Sequence, residues 1–176
     1  DANRGPILFR CDGTHERGWE PLYQCLALAA ALQRRRRGTH FFSYLDPLSL
    51  ATVINRGNND WAPAENLIGS DRDLDATLAQ VRRHDAAAVV VAGEGVTSDY
   101  LAALRETGTL VVAFDSTAGI KFDCDLVVNP LLAPGKKPYR VGPGCQRLLG
   151  SRYALCRGVF RRQRTIRATE PPAPFR

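Results

Sequence analysis

Apolar residues along the chain fall into two kinds of stretch. Short unbroken runs at residues 7–9, 86–92, 110–114 and 126–128 show no alternation with polar residues. That is the pattern of strands buried on both faces of a parallel sheet. Between them lie stretches with helical spacing. After Pro21, the residues Leu22, Cys25, Leu26, Leu28, Ala29 and Leu32 form a broad apolar face, and proline suits a helix start because its φ is preset and its missing N–H needs no partner. Glu20 stands at the positive end of this helix, Arg34 to Arg37 stand at its negative end, and Gly38 is the expected left-handed cap. Residues 39–44 are aromatic and β-rich, a second strand. Asp46-Pro47 starts a short helix through Ile54 that ends near Gly57, and Asn58-Asn59-Asp60 reads as a turn. Ser70-x-x-Asp73 caps a third helix carrying Leu74, Leu78 and Val81. Ser98 caps a fourth over residues 99–106, closed by Gly108. This alternation predicts an α/β fold, a Rossmann-like doubly wound parallel sheet. Open sheets of that kind bind ligands outside the carboxyl ends of their strands. The loop from Asp12 to Glu20 and the strand-end residues Asp115 and Asn129 therefore fall on the ligand edge.

With 176 residues, 44% of them hydrophobic, the chain supports one well-buried core. No apolar run approaches the roughly 20 residues that cross a bilayer, and no basic-then-apolar leader precedes the first strand, so the expectation is a soluble, cytoplasmic protein. The five cysteines, Cys11, Cys25, Cys124, Cys145 and Cys156, are odd in number and form no C-x-x-C pair. Buried free thiols are expected, rather than a disulfide framework or a zinc site; no metal and no cofactor is expected. The net charge of +6 is unevenly placed: residues 1–150 hold 17 Lys+Arg and 17 Asp+Glu, and residues 151–176 hold 7 and 1. The excess lies wholly in the tail. Aromatic residues are not interleaved with the basic ones as a base-stacking platform requires, which argues against nucleic acid as a partner. A Pro/Gly-rich loop covers residues 133–144, and residues 153–160 have helical character. Residues 161–176 are basic and then proline-rich, the composition of a linker. The expected organisation is a Rossmann-like domain at 1–160 and a linker at 161–176, leading to a second domain outside the chain.

Gly13 and Gly18 have the spacing of a phosphate loop, but Trp19-Glu20 follows where Lys and Ser/Thr are needed, and a carboxylate there repels a triphosphate. The dinucleotide fingerprint G-x-G-x-x-G is absent as well. A ligand rich in hydroxyls fits better. Asp12, Glu20, Asp115 and Asn129 offer acceptors and donors, and Trp19 offers a face on which a sugar ring can stack. Each residue also has a purely structural reading: Asp12 as a partner of loop amides, Trp19 as packing, Glu20 as a dipole partner. His15, His40 and His84 carry no motif.

Several motifs taken in order resemble a known family. They are Arg10-x-Asp12-Gly13, the Gly18-Trp19 turn, Cys25-Leu26-Ala27-Leu28-Ala29, Phe114-Asp115, Asp125-Leu126-Val127-Val128-Asn129 and Tyr153-Ala154-Leu155-Cys156-Arg157-x-x-Phe160. Together they resemble the amino-terminal half of the UDP-sugar hydrolases of pseudaminic acid biosynthesis and the related spore-coat polysaccharide proteins. The resemblance implies one half of a GT-B-type architecture, in which two Rossmann-like domains enclose the active site. It also implies a UDP-sugar or related glycan precursor as ligand, and a second domain holding most of the UDP contacts. The substrate-binding residues expected here are Arg10, Gly13, Gly18, Trp19, Asp115 and Asn129. The sequence departs from the family at one place that matters. Where the family reads Gly-aromatic-Gly-His, with the histidine expected to activate water, this chain reads Gly18-Trp19-Glu20-Pro21. Proline moves no proton. The family's acid-rich strand end is replaced by Ala92-Gly93-Glu94. The function expected is therefore the amino-terminal domain of a nucleotide-sugar hydrolase or glycosyltransferase acting at the sugar–phosphate bond, with Glu20 or Asp12 replacing the lost base. The alternative is a sugar-nucleotide binding module without turnover.

Overall fold

The computed structural model describes residues 5–131 and 138–155. Nine strands run in chain order: β1 (Ile7–Cys11), β2 (Thr39–Ser43), β3 (Asp60–Pro63), β4 (Ala88–Ala92), β5 (Leu110–Phe114), β6 (Lys121–Phe122), β7 (Leu126–Asn129), β8 (Arg140–Val141) and β9 (Gln146–Leu149). Seven of them form one sheet in the order β3-β2-β1-β4-β5-β7-β9, and every neighbouring pair is parallel. The short β6 and β8 pair with each other apart from it. Four helices connect the strands: α1 (Glu20–Gln33), α2 (Ala51–Arg56), α3 (Asp71–Arg83) and α4 (Ser98–Arg105). The chain lays β2 and β3 to one side of β1, then returns through α3 and places β4 on the other side. The order reverses between β1 and β4, which is the switch point of a doubly wound sheet.

The two-residue period of each strand sorts its side chains between two cores. From β1, Ile7, Phe9 and Cys11 face α1 and α2, where they meet Leu22, Cys25, Ala29 and Ile54. Phe9 stacks on Phe41 of β2 with ring centroids 4.7 Å apart. Leu8 faces the other way, toward Val81 of α3 and Tyr100, Leu101 and Leu104 of α4. Both faces of β1 and β4 are buried throughout, which accounts for the absence of alternation in their sequences. Each fully buried aliphatic or aromatic side chain contributes about 1.5–3 kcal/mol, more than any cap, so these strands dominate the choice of fold. No helix among the described residues is long and apolar enough to cross a membrane.

Several local features differ from the sequence reading. Strand β3 begins at Asp60, inside the expected turn, because Asn58 alone makes the reversal with φ of 55°. Strand β9 falls in a polar stretch at the sheet edge, where pairing needs only one partner and no apolar run. Thr97, not Ser98, caps α4, its hydroxyl accepting from Tyr100 N. Ser70 caps α3 as expected, accepting from Asp73 N. Pro21 is the second residue of α1, with Glu20 the first. The end of α1 is closed by Arg36 at φ 59°, not by Gly38. Arg36 N donates to Gln33 O and Arg37 N to Leu32 O, the paired bonds of a left-handed helix stop. Arg34 donates to Ala30 O in the last turn, so part of the arginine run serves the helix end. Residues 156–176 lie outside the described residues, and with them the remainder of the expected helical segment, the linker and the basic tail.

Replacing exposed Arg36 by glycine removes a left-handed strain of about 1 kcal/mol, so Arg36→Gly should raise the denaturation midpoint; a lower midpoint contradicts the assigned cap. A second test concerns His40, buried beside the His84 ring with centroids 4.1 Å apart. Burial, then the neighbouring His84 and Arg83, holds His40 below the ordinary imidazole range, against opposing pulls from Asp60 and Gln80. Because the unfolded chain takes a proton that folded His40 refuses, stability should be level above about pH 6.5 and fall as pH drops below it. Urea titrations of His40→Leu should show a shallower acid slope than the parent, and an unchanged slope would exclude His40 as its source.

Candidate functional site at the sheet switch point

A cavity of about 400 Å³ opens at the carboxyl ends of β1, β4 and β5. Its walls come from the loop after β1 with the start of α1 (Asp12, Arg17, Gly18, Glu20, Pro21, Gln24), from Ile68 before α3, from the Gly93–Val96 loop after β4, and from Asp115, Ser116 and Thr117 after β5. Pro130 and Leu131 after β7 complete it. The cavity therefore occupies the crevice between β1 and β4, extended along the sheet edge.

The loop after β1 is drawn into a tight turn. Thr14 N donates to Gly18 O, Arg17 N donates to the Thr14 hydroxyl, and Gly18 reverses the chain at φ 80° with open space around it. Across the crevice, two glycines allow backbone to meet backbone: a Cβ on Gly69 would lie 2.3 Å from Gly95 O, and one on Gly95 would lie 3.0 Å from Ile68 O. The Arg17 guanidinium spans the same seam, donating to Glu94 O at 3.2 Å and Ile68 O at 3.5 Å.

Four of the eight residues expected at the ligand edge line this cavity: Asp12, Gly18, Glu20 and Asp115. Glu20 is exposed, and one carboxylate oxygen accepts from Gln24 at 2.9 Å. Its other oxygen carries no hydrogen bond among the described residues. Asp12 is 5% exposed and both its oxygens are taken, by Arg10, Tyr44 N and Ile68 N. Held by three donors, this carboxylate anchors the loops around it. Asp115 is similarly engaged, accepting from Thr117 N, the Thr117 hydroxyl, Ala118 N and the Tyr139 hydroxyl. Burial, and then the bond to Asp115, pushes the Tyr139 phenol up, so it remains a donor.

The other four lie elsewhere. Gly13 is buried against Leu22 and Leu50, which a Cβ would approach to 3.0 and 3.1 Å. Trp19 is the cap residue of α1, 37% exposed and against the His15 ring, and it does not line the cavity. Asn129 is fully buried; its amide donates to the Tyr139 hydroxyl and its carbonyl accepts from Leu131 N. It positions Tyr139 instead of meeting a ligand.

Arg10 departs furthest from expectation. The pleat turns it toward α3 and α4 with no exposed surface at all. Its Nε donates to Asp73 at 2.7 Å, one terminal nitrogen bonds Asp12 and Phe42 O, and the other donates to Asn66 O at 2.9 Å. Asp73 in turn accepts from Gly69 N and from the Tyr100 hydroxyl at 2.8 Å. Burial lowers the guanidinium's proton affinity, but Asp12 and Asp73 outweigh it, so the net shift is upward and the cation persists. Sequence reasoning missed Arg17, the single cation among the cavity's lining residues, and Tyr139, which holds Asp115 in place. Arg17 sits between the two glycines that were read only for spacing. Tyr139 is linked to Asp115 by tertiary contact across 24 positions, which no local pattern reveals. Among the described residues no group of three or more His, Cys, Asp or Glu side chains is placed to hold a metal.

No protein-family model matches the sequence, and no curated protein matches it significantly. Among solved structures the fold is similar to that of MurG from Acinetobacter baumannii, a GT-B glycosyltransferase, with a TM-score of 0.55 and 12% sequence identity. The match covers 83% of this chain and 45% of that one. At this identity the likeness is one of fold, a Rossmann-like α/β sheet.

The buried triad yields a test. Arg10→Met keeps the volume but leaves Asp12 and Asp73 buried without their cation, so it should cost about 3–5 kcal/mol in chemical denaturation. A loss under about 1 kcal/mol would show that the triad does not organise the crevice.

Proposed function

We propose that this chain is the amino-terminal, sugar-facing half of a nucleotide-sugar-processing enzyme of GT-B type, a UDP-sugar hydrolase or glycosyltransferase. A second α/β domain outside the described residues would supply the rest of the cleft. The observation that carries this reading is the cavity itself. It lies at the switch point, is walled by the glycine-bounded loop after β1 and by polar strand ends, and is large enough for a sugar ring. The fold likeness to MurG supports the same general kind of chemistry. Glu20 is the candidate catalytic group, because it alone of the expected pair presents an unengaged carboxylate oxygen to the cavity. Gly18 and Asp115 line the place where the sugar would sit. A hydrogen-bonded Asp115 carboxylate accepts a further hydroxyl without moving.

One observation favours a second reading, a binding module without turnover. The carboxylates of Asp12 and Asp115 each already accept several hydrogen bonds from protein donors, and Glu20 alone remains to move a proton.

The protein together with its second domain, given a panel of UDP-sugars with and without sugar acceptors, should release UDP. Glu20→Gln should lower that rate about 100-fold or more while Asp115→Asn mainly weakens binding. Saturable binding without UDP release under any acceptor would leave the binding module standing. Amide spectra of this chain that show no shift at Gly18, Glu20 or Asp115 with any sugar or UDP-sugar would overturn both readings.

A further inference from the structure

Away from the cavity floor, two thiols lie side by side. Cys124 is buried in the turn before β7, Cys145 is half-buried in the turn before β9, and their Sγ atoms are 3.7 Å apart. The sheet itself sets this approach. Strands β7 and β9 pair in parallel register with Leu126 opposite Gln146, and Gln146 N donates to Asp125 O at 2.9 Å. The segments entering the two strands are thereby aligned. Neighbouring strands lie about 4.8 Å apart, within the Cα separation of about 4.4–6.8 Å that a disulfide spans. Bringing the sulfurs to about 2.05 Å takes side-chain rotation and a displacement of under about 2 Å. Cys11 and Cys25 contrast with this pair, being fully buried between β1 and α1.

We propose that Cys124 and Cys145 form a reversible dithiol, closed to a disulfide by a low-molecular-weight disulfide oxidant such as oxidised glutathione. The more exposed Cys145 gives up its proton and attacks one sulfur of the oxidant, breaking that S–S bond and releasing one thiolate. Cys124 then gives up its proton and attacks Cys145 Sγ, which forms the internal S–S bond and expels the second thiolate. The two released thiolates take up the two protons. The protein loses two electrons and two hydrogens, and the oxidant gains them. Burial, and then Cys145, pushes the Cys124 thiol up, so the second step runs faster at alkaline pH.

The closed segment, residues 124–145, carries Pro130 and Leu131 of the cavity wall. It also carries Tyr139, whose hydroxyl holds both Asp115 and Asn129. Oxidation therefore adds a covalent link between the segments entering β7 and β9, beside that side of the cavity.

The purified chain, treated with oxidised glutathione, should lose two hydrogens by intact mass without retaining a glutathione. A non-reducing tryptic map should join the peptides holding Cys124 and Cys145, and the melting midpoint should rise by several degrees and return on reduction. Cys145→Ser should abolish the mass change and the shift. Cys124→Ser should stop at Cys145 carrying one glutathione, an adduct that the parent does not retain because Cys124 resolves it. A parent chain that accumulates the glutathione adduct, links Cys145 to a different cysteine, or does not react at all would overturn the proposal.

Discussion

A guanidinium stands at a position where the strand pattern calls for an apolar side chain. Arg10 is in β1, beside the central strand β4, on the face that packs against α3 and α4, and no solvent reaches it. Desolvating that cation costs several kcal/mol unless partners offset it, and the structure supplies them from four separate segments. Asp12 comes from the end of β1, Phe42 O from β2, Asn66 O from the loop before α3, and Asp73 from α3 itself. Tyr100 of α4 joins through Asp73. Elements from both sides of the switch point therefore meet at one charge. The crevice between β1 and β4 takes its shape from that meeting, since Asp12 and Ile68, linked by a 2.8 Å bond, both line it.

That arrangement separates what holds the site from what is available within it. Arg10, Asp12 and Asn129 look like ligand residues in sequence because they are polar and close to strand ends. In the fold Arg10 and Asn129 lie behind the cavity and Asp12 lines it, and the hydrogen-bonding capacity of all three is turned toward protein. What remains open to a ligand is the rim: Glu20, the Arg17 guanidinium, the Thr117 side chain and backbone near Gly93 to Gly95. A polar group at a strand end thus has two possible fates, and the pleat together with the partner count decides between them.

The fold class was legible because β1, β4 and β5 are apolar without alternation and the helices between them carry caps and spacing of their own. Ser70 with Asp73 and Pro21 with Glu20 announced helix starts to within a residue. The parts not legible have physical reasons. Strand β9 pairs along one edge only, so nothing in Gln146 to Leu149 has to be apolar throughout. Arg36 occupies a left-handed position that glycine usually fills, because the pair of closing bonds to Gln33 and Leu32 fixes the backbone whatever the side chain. Half of the expected site residues reached the cavity. Trp19 did not; its ring lies against His15 beside the start of α1.

The contact between Gly69 and Gly95 bears on which ligands the cavity admits. The wall there is made of main chain against main chain, crossed by a single side chain, Arg17, which is tied to Glu94 O and Ile68 O. Its contour is therefore as stiff as the sheet behind it, while the facing rim of Glu20, Ser116 and Thr117 is built from adjustable groups. Selection by outline belongs to the first surface and tolerance to the second. A group pointing at the glycine seam meets backbone that cannot rotate away, whereas one pointing at the rim meets side chains that can change rotamer.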